Sequence, residues 1–362
     1  MPGTVSFADW SLSWSIPTTG EGLVISLADF KGTRVLWRAG APFVLVPYHG
    51  NSPTFKDGLG HRGAPFTAVT PTAPNAPSWQ IPPNQWATND NQYDPVANPG
   101  GAVMVERTPP DLLEPARIDI WAKLQCANYQ YVHRWVFHAD GAIHAEVGLG
   151  GRLFHFNPPT MGHIHNFYFR LDFDIAGSGN NLVQRFAHKG NNSGDDQWLD
   201  INFESKETAD PATYTKWRVL NKVPKPNGLN RSYELLPGSD GAPDGIYTSA
   251  STYSRGDLWV VLYKGGAEDG ADVAQPIGAP VTDDVLTTKY ANGEAANGQD
   301  VVVWYCLRHH HQPRQLGEET IVVPYELLSF HIEPRDFLDG TRMLQRTCKK
   351  PLADAPTMPA SS

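Results

Sequence analysis

The sequence predicts an all-β fold, a large antiparallel β-sandwich, on three observations. Short runs rich in β-branched and aromatic residues recur along the 362-residue chain, many of them with period-2 alternation. No long stretch carries the helical period of 3.6 residues. The chain also holds 33 glycines and 31 prolines, well above the usual share of about 12% for the two together, which favours turns over long helices.

The predicted strands follow one another along most of the chain and are separated by turns or loops. An Asp-Gly pair at residues 140–141 lies between two of them and is the signal of a tight hairpin. Three long connections, at residues 64–101, 204–256 and 264–299, are predicted as loops, and loops of that length are usually lids or partner arms. We predict strands at residues 23–27, 34–38, 102–106, 118–124, 129–138, 143–149, 167–175, 199–203, 258–263, 301–307 and 327–332.

Composition excludes several classes of function. The formal net charge of −9 gives no basic surface for nucleic acid or for an anionic membrane. No apolar run approaches the roughly 20 residues of a membrane helix, and the N-terminus lacks a secretory signal pattern, so we expect a cytoplasmic protein. Three cysteines are too few for a disulfide framework. We expect one domain over residues 1–345 and a tail over residues 346–362.

Two histidine clusters indicate a metal site. His163 and His165 lie two residues apart, and residues i and i+2 of a strand face the same side, so their imidazoles can converge on one ion. The run His309, His310 and His311 follows the predicted strand 301–307, and alternation allows only His309 and His311 to share a face. A third imidazole from that strand would complete a site suited to copper, zinc, iron or nickel. The alternative is ordinary surface or hydrogen-bonded histidines.

Four motifs in the sequence resemble those of one enzyme family. Residues 128–131, Asn-Tyr-Gln-Tyr, would ordinarily indicate core aromatics, but they are similar to the Asn-Tyr-Asp/Glu-Tyr strand in which the copper amine oxidases carry their cofactor tyrosine. Residues 135–148 resemble the family's W-x-F-x-x-D-G-x-I-x-x-E-V-G hairpin. His163 and His165 match its HxH copper ligands, and His311, in the segment His-Gln-Pro-Arg, matches its third ligand.

The resemblance runs from about residue 7 to residue 339, and the motifs occur in the family's order. It covers the catalytic domain and does not include the family's smaller N-terminal domains. It implies the family's catalytic β-sandwich, a copper ion on the three histidines, and oxidation of Tyr129, preceded by Asn128, to topaquinone. It also implies that Tyr48, in a Val-Pro-Tyr turn, contacts a cofactor oxygen. Asp57, in the segment Thr-Phe-Lys-Asp-Gly, is the candidate catalytic base, and a turn aspartate is the alternative.

The activity implied by the resemblance is oxidative deamination of a primary amine to an aldehyde, with dioxygen reduced to hydrogen peroxide, by a homodimer. The dimer arms could come from residues 204–256 or 264–299. Two departures keep alternatives open, because Gln130 replaces a family acid and Gln125 a family threonine. One alternative is a three-histidine copper enzyme without the quinone, with oxygenase-like or other specialised activity. Another is a non-enzymatic binding protein with degenerate metal sites.

A peripheral calcium or manganese site is also implied by the resemblance. Its ligands would be Asp172, the Phe173 carbonyl and Asp174, with Asp300 and the Val301 carbonyl from the facing strand. Hard oxygen ligands of this kind suit those two cations. The alternative is a group of ordinary outward-facing strand aspartates.

Overall fold

Strands make up most of the structure. The computed structural model describes residues 3–47, 54–60, 64–68, 103–127, 129–151, 163–188, 197–210, 214–238, 256–266, 289–311 and 323–338. These stretches contain nineteen strands and no α-helix. In chain order the strands are β1 (Gly3–Phe7), β2 (Trp10–Ser15), β3 (Val24–Phe30), β4 (Thr33–Pro47), β5 (Thr54–Gly58), β6 (Thr67–Ala68), β7 (Met104–Thr108), β8 (Arg117–Cys126), β9 (Tyr129–His138), β10 (Ile143–Gly151), β11 (His163–Phe173), β12 (Asn181–Ala187), β13 (Gln197–Ile201), β14 (Ser205–Glu207), β15 (Trp217–Asn221), β16 (Ser232–Leu236), β17 (Leu258–Leu262), β18 (Val301–His311) and β19 (Val323–Arg335).

The strands form two large sheets. The first sheet has the order β1-β2-β3-β4-β11-β18-β17-β14, with β5 also paired to β4. The second sheet has the order β13-β12-β15-β16-β19-β10-β9-β8-β6, with β7 also paired to β8. The pairs are antiparallel, including the central β4–β11–β18 and β19–β10–β9 sets. The predicted antiparallel β-sandwich is therefore confirmed.

The main core lies between the two sheets, where alternate residues of each strand point inward. In β2, Trp10, Leu12 and Trp14 are buried, whereas Ser11 between them is exposed. Trp10 of the first sheet meets Phe137 of the second edge to face, with ring centroids 5.1 Å apart. Burying a side chain of this size contributes about 1.5–3 kcal/mol or more, so this layer holds the sheets together.

The first sheet is also covered on its outer face, by a second buried cluster around Phe43, Tyr168, Trp259 and Trp304. Phe43 stacks on Tyr168 with ring centroids 4.9 Å apart. Strands buried on both faces read as continuous apolar runs rather than as alternating ones. The centre of this sheet is therefore rigid, and its strand ends can hold polar groups in fixed positions.

Several predicted strands agree closely with the structure, and one predicted loop does not. β9 has the predicted bounds, and the hairpin after it turns at Gly141, whose φ of 99° lies in the region that favours glycine. The prediction of a loop over residues 204–256 is wrong, because β14, β15 and β16 lie there. These strands have three to five residues and are flanked by Pro, Asn and Gly, so their pattern is weak.

The other two predicted loops are described only in part. Residues 64–68 include the two-residue strand β6, and residues 289–299 contain no named strand. Residues 264–266 are also described, whereas residues 69–101 and 267–288 and the tail from residue 346 lie outside the described residues. Among the described residues, no helix has the length and apolar character needed to cross a membrane.

Candidate metal and catalytic site

Three histidines meet where β11 begins and β18 ends. His163 and His165 share the inward face of β11 with Phe167, so they lie between the two sheets. The antiparallel register places His311 opposite His163, and His309 opposite His165. The structure therefore brings together the three histidines that the sequence predicted as ligands.

The distances within this histidine cluster suit a single ion. The Nε2 atoms of His163 and His165 are 3.0 Å apart, and one donor nitrogen from each of the three histidines lies within 4.8 Å of the others. Metal–imidazole bonds are about 2.0–2.1 Å long, so adjacent ligand atoms on one ion stand roughly 3 Å apart. His163, His165 and His311 are buried.

Burial also affects the protonation of one of these imidazoles, that of His165. Removal from water, with the neighbouring His163 and His311 as further causes, holds the pKa of His165 well below its usual value. A neutral imidazole is the form that binds a metal ion. His165 is therefore in its ligand form at neutral pH.

Tyr129 lies directly beside the histidines. Its Oη is 3.2 Å from Nε2 of His163, and its ring meets His165 edge to face with centroids 5.1 Å apart. Gln125 and Gln130, which replace the family's usual residues, form hydrogen bonds near the backbone of Tyr129. Gln125 Nε2 donates to the Tyr129 carbonyl over 3.2 Å, and Gln130 Nε2 donates to Gln125 Oε1 over 2.9 Å.

Asp57 lies on strand β5 rather than in a turn, and it is buried. Tyr131 Oη donates a hydrogen bond of 2.9 Å to Asp57 Oδ2. Burial raises the pKa of Asp57 to about 6, although hydrogen bonds from Tyr131 and Cys126 act in the opposite direction. A buried carboxylate with a pKa near working pH is typical of a general base.

Tyr131 connects the carboxylate to the histidines, because its Oη also lies 3.4 Å from Nδ1 of His165. The sequence predicted no role for this residue. The signal was its two-residue spacing from Tyr129, which places both phenols on the inward face of β9. Tyr48 and Asn128, two further predicted site residues, lie outside the described residues.

Three aspartates gather at the opposite end of β11. Carboxylate oxygens of Asp172, Asp174 and Asp300 lie within 4.8 Å of one another, and Arg170 Nη2 donates to Asp172 Oδ2 over 3.1 Å. Burial raises the pKa of Asp172 to about 7, Arg170 opposes this, and the two neighbouring aspartates add to it. A bound cation would relieve this repulsion.

The two carbonyls predicted for the same site belong to residues adjacent to these aspartates. Phe173 ends β11 between Asp172 and Asp174, with its side chain in the core. Val301 begins β18 directly after Asp300. The donors are hard oxygens throughout, which suit calcium or manganese.

Comparison with known proteins identifies the family. The family model described as the enzyme domain of copper amine oxidase matches residues 122–351. The primary amine oxidase of Pisum sativum is 22% identical, over 97% of this chain and 60% of its own length. The copper-containing amine oxidase gamma 2 of Arabidopsis thaliana is 24% identical, over 63% of this chain and 39% of its own length.

A solved structure matches in fold. The copper-containing benzylamine oxidase of Hansenula polymorpha superposes with a TM-score of 0.69 and 19% identity, over 93% of this chain and 60% of that chain. This likeness extends the shared sandwich to most of the chain, while the chain spans less than two thirds of the length of these relatives. Since the family model covers more than half of the sequence, the chain belongs to the copper amine oxidase family.

Proposed function

We propose that this chain catalyses the copper-dependent oxidation of a primary amine. In the reaction, amine, dioxygen and water give an aldehyde, ammonia and hydrogen peroxide. One observation carries the proposal, the placement of a phenol 3.2 Å from a buried cluster of three imidazoles. Family membership supports it. Relatives carry names such as histamine oxidase and diamine oxidase, so we leave the particular amine open.

In this proposal His163, His165 and His311, which are buried together, hold the copper ion through their neutral imidazoles. When bound, copper with dioxygen supplies the oxidation of Tyr129 to a topaquinone cofactor, which accepts the electrons of the amine. The chain supports that phenol from two sides. His163 contacts its Oη, and Gln125 donates to its backbone carbonyl.

Asp57 is the proposed base and accepts the proton from the α-carbon of the amine. Its carboxylate is buried, which excludes water from the proton transfer. Tyr131 holds the carboxylate in place by donating to Oδ2, and Cys126 also hydrogen-bonds to it. The raised pKa, about 6, makes Asp57 a stronger base than an ordinary aspartate and still leaves it ionised at neutral pH.

We further propose that Asp172, Asp174 and Asp300, with the Phe173 and Val301 carbonyls, bind calcium or manganese. Their location at the far end of β11 supports a structural rather than a catalytic role for this ion. A homodimer is also proposed, by family resemblance. Because β14, β15 and β16 are built into the sheets, arms from the 204–256 region would have to come from other residues of that segment.

The decisive experiment is the mass of the peptide that carries Tyr129, after the purified protein is exposed to copper and air. Topaquinone formation adds two oxygens and removes two hydrogens, a gain of about 30 Da. We expect this gain together with a positive redox stain for the quinone, and neither in Tyr129→Phe.

Other outcomes of this experiment separate the alternatives. An unmodified peptide from protein that retains copper would support the three-histidine copper enzyme without the quinone. Failure to retain copper, with His163→Ala behaving like the wild-type protein, would support the non-enzymatic binding protein.

A further inference from the structure

A second group of histidines lies on the outer face of the second sheet, beside the hairpin between β9 and β10. The register pairs His144 of β10 directly with His331 of β19, and Glu333 lies two residues farther along the same face. His138, at the end of β9, is two residues beyond the partner of His144 and shares that face. Three adjacent strands thus direct four potential metal ligands to one spot.

The side chains in this outer cluster are in close contact. The rings of His144 and His331 stack with centroids 3.8 Å apart and an interplanar angle of 9°. Nε2 of His138 lies 3.3 Å from Nδ1 of His144. One ligand atom each from His144, His331 and Glu333 lies within 4.8 Å of the others. These three side chains are partly exposed, so an ion from solution can reach them.

We propose that His144, His331 and Glu333 form a further metal site, separate from the His163 cluster and from the aspartate cluster, for Zn²⁺ or a similar divalent transition ion. Two imidazoles and one carboxylate are a known three-ligand set for zinc. Imidazole nitrogen disfavours calcium and magnesium, which prefer oxygen ligands throughout. The fourth position is filled by water or by His138.

The local charges are consistent with this assignment. Glu234 lies opposite Glu333 in the sheet register and is paired with Lys216 over 2.8 Å and with Arg335. Lys216 and Arg335 are thus both paired with Glu234, which lies beside the proposed ligand Glu333. A bound cation would be surrounded by carboxylates on one side and imidazoles on the other.

The stacked rings must move slightly when the ion binds. In two parallel imidazoles the nitrogen lone pairs point in parallel directions. A single ion requires one lone pair from each ring to point at the same position. The second side-chain torsion of histidine is broad, so a tilt of each ring costs little. His144 and His331 are anchored on paired strands, so the tilt needs no change in the backbone.

The test is zinc binding by the full chain, measured with a chromophoric competitor in excess calcium, so that calcium occupies the aspartate cluster. In a His163→Ala, His165→Ala background, which removes the inner site, we expect one zinc ion to remain bound. Adding His331→Ala should weaken that binding by at least about 100-fold, since changes to residues that only support a ligand already cost 10–100-fold. Glu333→Gln, which keeps size and shape, should also weaken it.

The matched control is His188→Ala, which removes a histidine that contacts Tyr214 on another part of the second sheet and should leave zinc binding unchanged. Unchanged binding in both His331→Ala and Glu333→Gln, or no bound zinc in the inner-site variant, would overturn the proposal. In the wild-type background, His331→Ala should form the same Tyr129-derived quinone. Failure of the outer site is thereby distinguished from failure of the proposed oxidase function.

Discussion

The two ends of strand β11 carry different ligand sets on opposite faces. At its start, His163 and His165 face inward between the sheets, and at its end Asp172 faces outward, next to Asp174. The alternation of a strand separates the two sets by face, and its length of eleven residues separates them by distance. One strand thus carries the proposed copper ligands inside the sandwich and the proposed calcium or manganese ligands at its edge.

The electrostatics of the two ends differ as well. Burial lowers the pKa of His165, so this imidazole is neutral at the start of the strand. At the other end, burial and the neighbouring acids raise the pKa of Asp172 to about 7, and a bound cation would relieve the repulsion among these carboxylates. We therefore expect ion loss to stop chemistry at the first end and to reduce stability at the second.

The largest effect should come from His165→Ala. Copper retention and amine oxidation should both be lost, with a rate decrease of at least about 1000-fold, because no other group supplies the chemistry of the metal. The measurements are copper content and hydrogen peroxide release. The matched control is His310→Ala, on the opposite face of β18, which should keep its copper. Retained copper in His165→Ala would contradict the assignment of this residue as a ligand.

Asp57→Asn should have the next largest effect, lowering kcat by about 10²–10⁴-fold with copper content unchanged. In the wild-type protein the rate should rise with pH through about 6, since only the ionised carboxylate accepts a proton. This acid limb should be absent from the residual activity of the variant. A loss of less than about 10-fold would exclude Asp57 as the base.

The same substitution has a predictable sign for stability. Folding raises the pKa of Asp57 to about 6 from its usual 3.8. The folded protein therefore holds this proton more tightly than the unfolded chain does, and the free energy of unfolding falls as pH rises from 3.8 to about 6. At pH 7.5, Asp57→Asn should therefore be more stable than the wild-type protein, by up to about 3 kcal/mol in free energy of unfolding. Denaturant titration would measure the difference, which should disappear below about pH 4.

At the aspartate end a smaller, purely thermodynamic effect is expected. Calcium at about 100 times its dissociation constant should stabilise the wild-type protein by about 3 kcal/mol, and this gain should be absent in Asp172→Asn. Thermal denaturation with and without calcium measures it. Asp119→Asn, which removes a buried aspartate paired with Arg134 in the second sheet, is the control and should retain the calcium effect. Equal calcium responses in Asp172→Asn and the wild-type protein would contradict the proposed site.

The sequence predicted strands best where aromatic and β-branched residues are dense and a turn signal follows. β9 was predicted over its full length because Trp135 and Phe137 alternate with outward residues and an Asp-Gly turn follows. β4 extends to Pro47, beyond the predicted 34–38, because residues 39–47 are buried throughout and include Gly40 and Pro42. β2 went unpredicted although its tryptophans and Leu12 alternate, so in that strand the signal was present.

Site residues were predictable only within a single strand. Spacing places His163 and His165 on one face, but their pairing with His311 depends on a register between strands far apart in the sequence, which the family resemblance supplied. The outer cluster had no such guide. His144 and His331 lie on different strands, and only the register of β10 with β19 places them in contact.

The smallest effect should come from Tyr131→Phe, which tests how the histidine end is connected to the base. The Tyr131 hydroxyl stabilises the ionised form of Asp57, so its removal should raise the pKa of that carboxyl further. The acid limb of the rate should move to higher pH by about half a unit to one unit, the equivalent of one ordinary hydrogen bond.

The ring itself should stay in place in this variant, because Phe66 and Phe167 pack against it edge to face. Copper content should be unchanged, since Tyr131 contacts His165 without being among the converging ligands. Tyr233→Phe, which removes another buried hydroxyl that donates to the Gly141 carbonyl, is the control and should leave the limb in place. If the limb moved in both variants, the shift would reflect general loosening of the core, and if it moved in neither, Asp57 would not be the group that titrates.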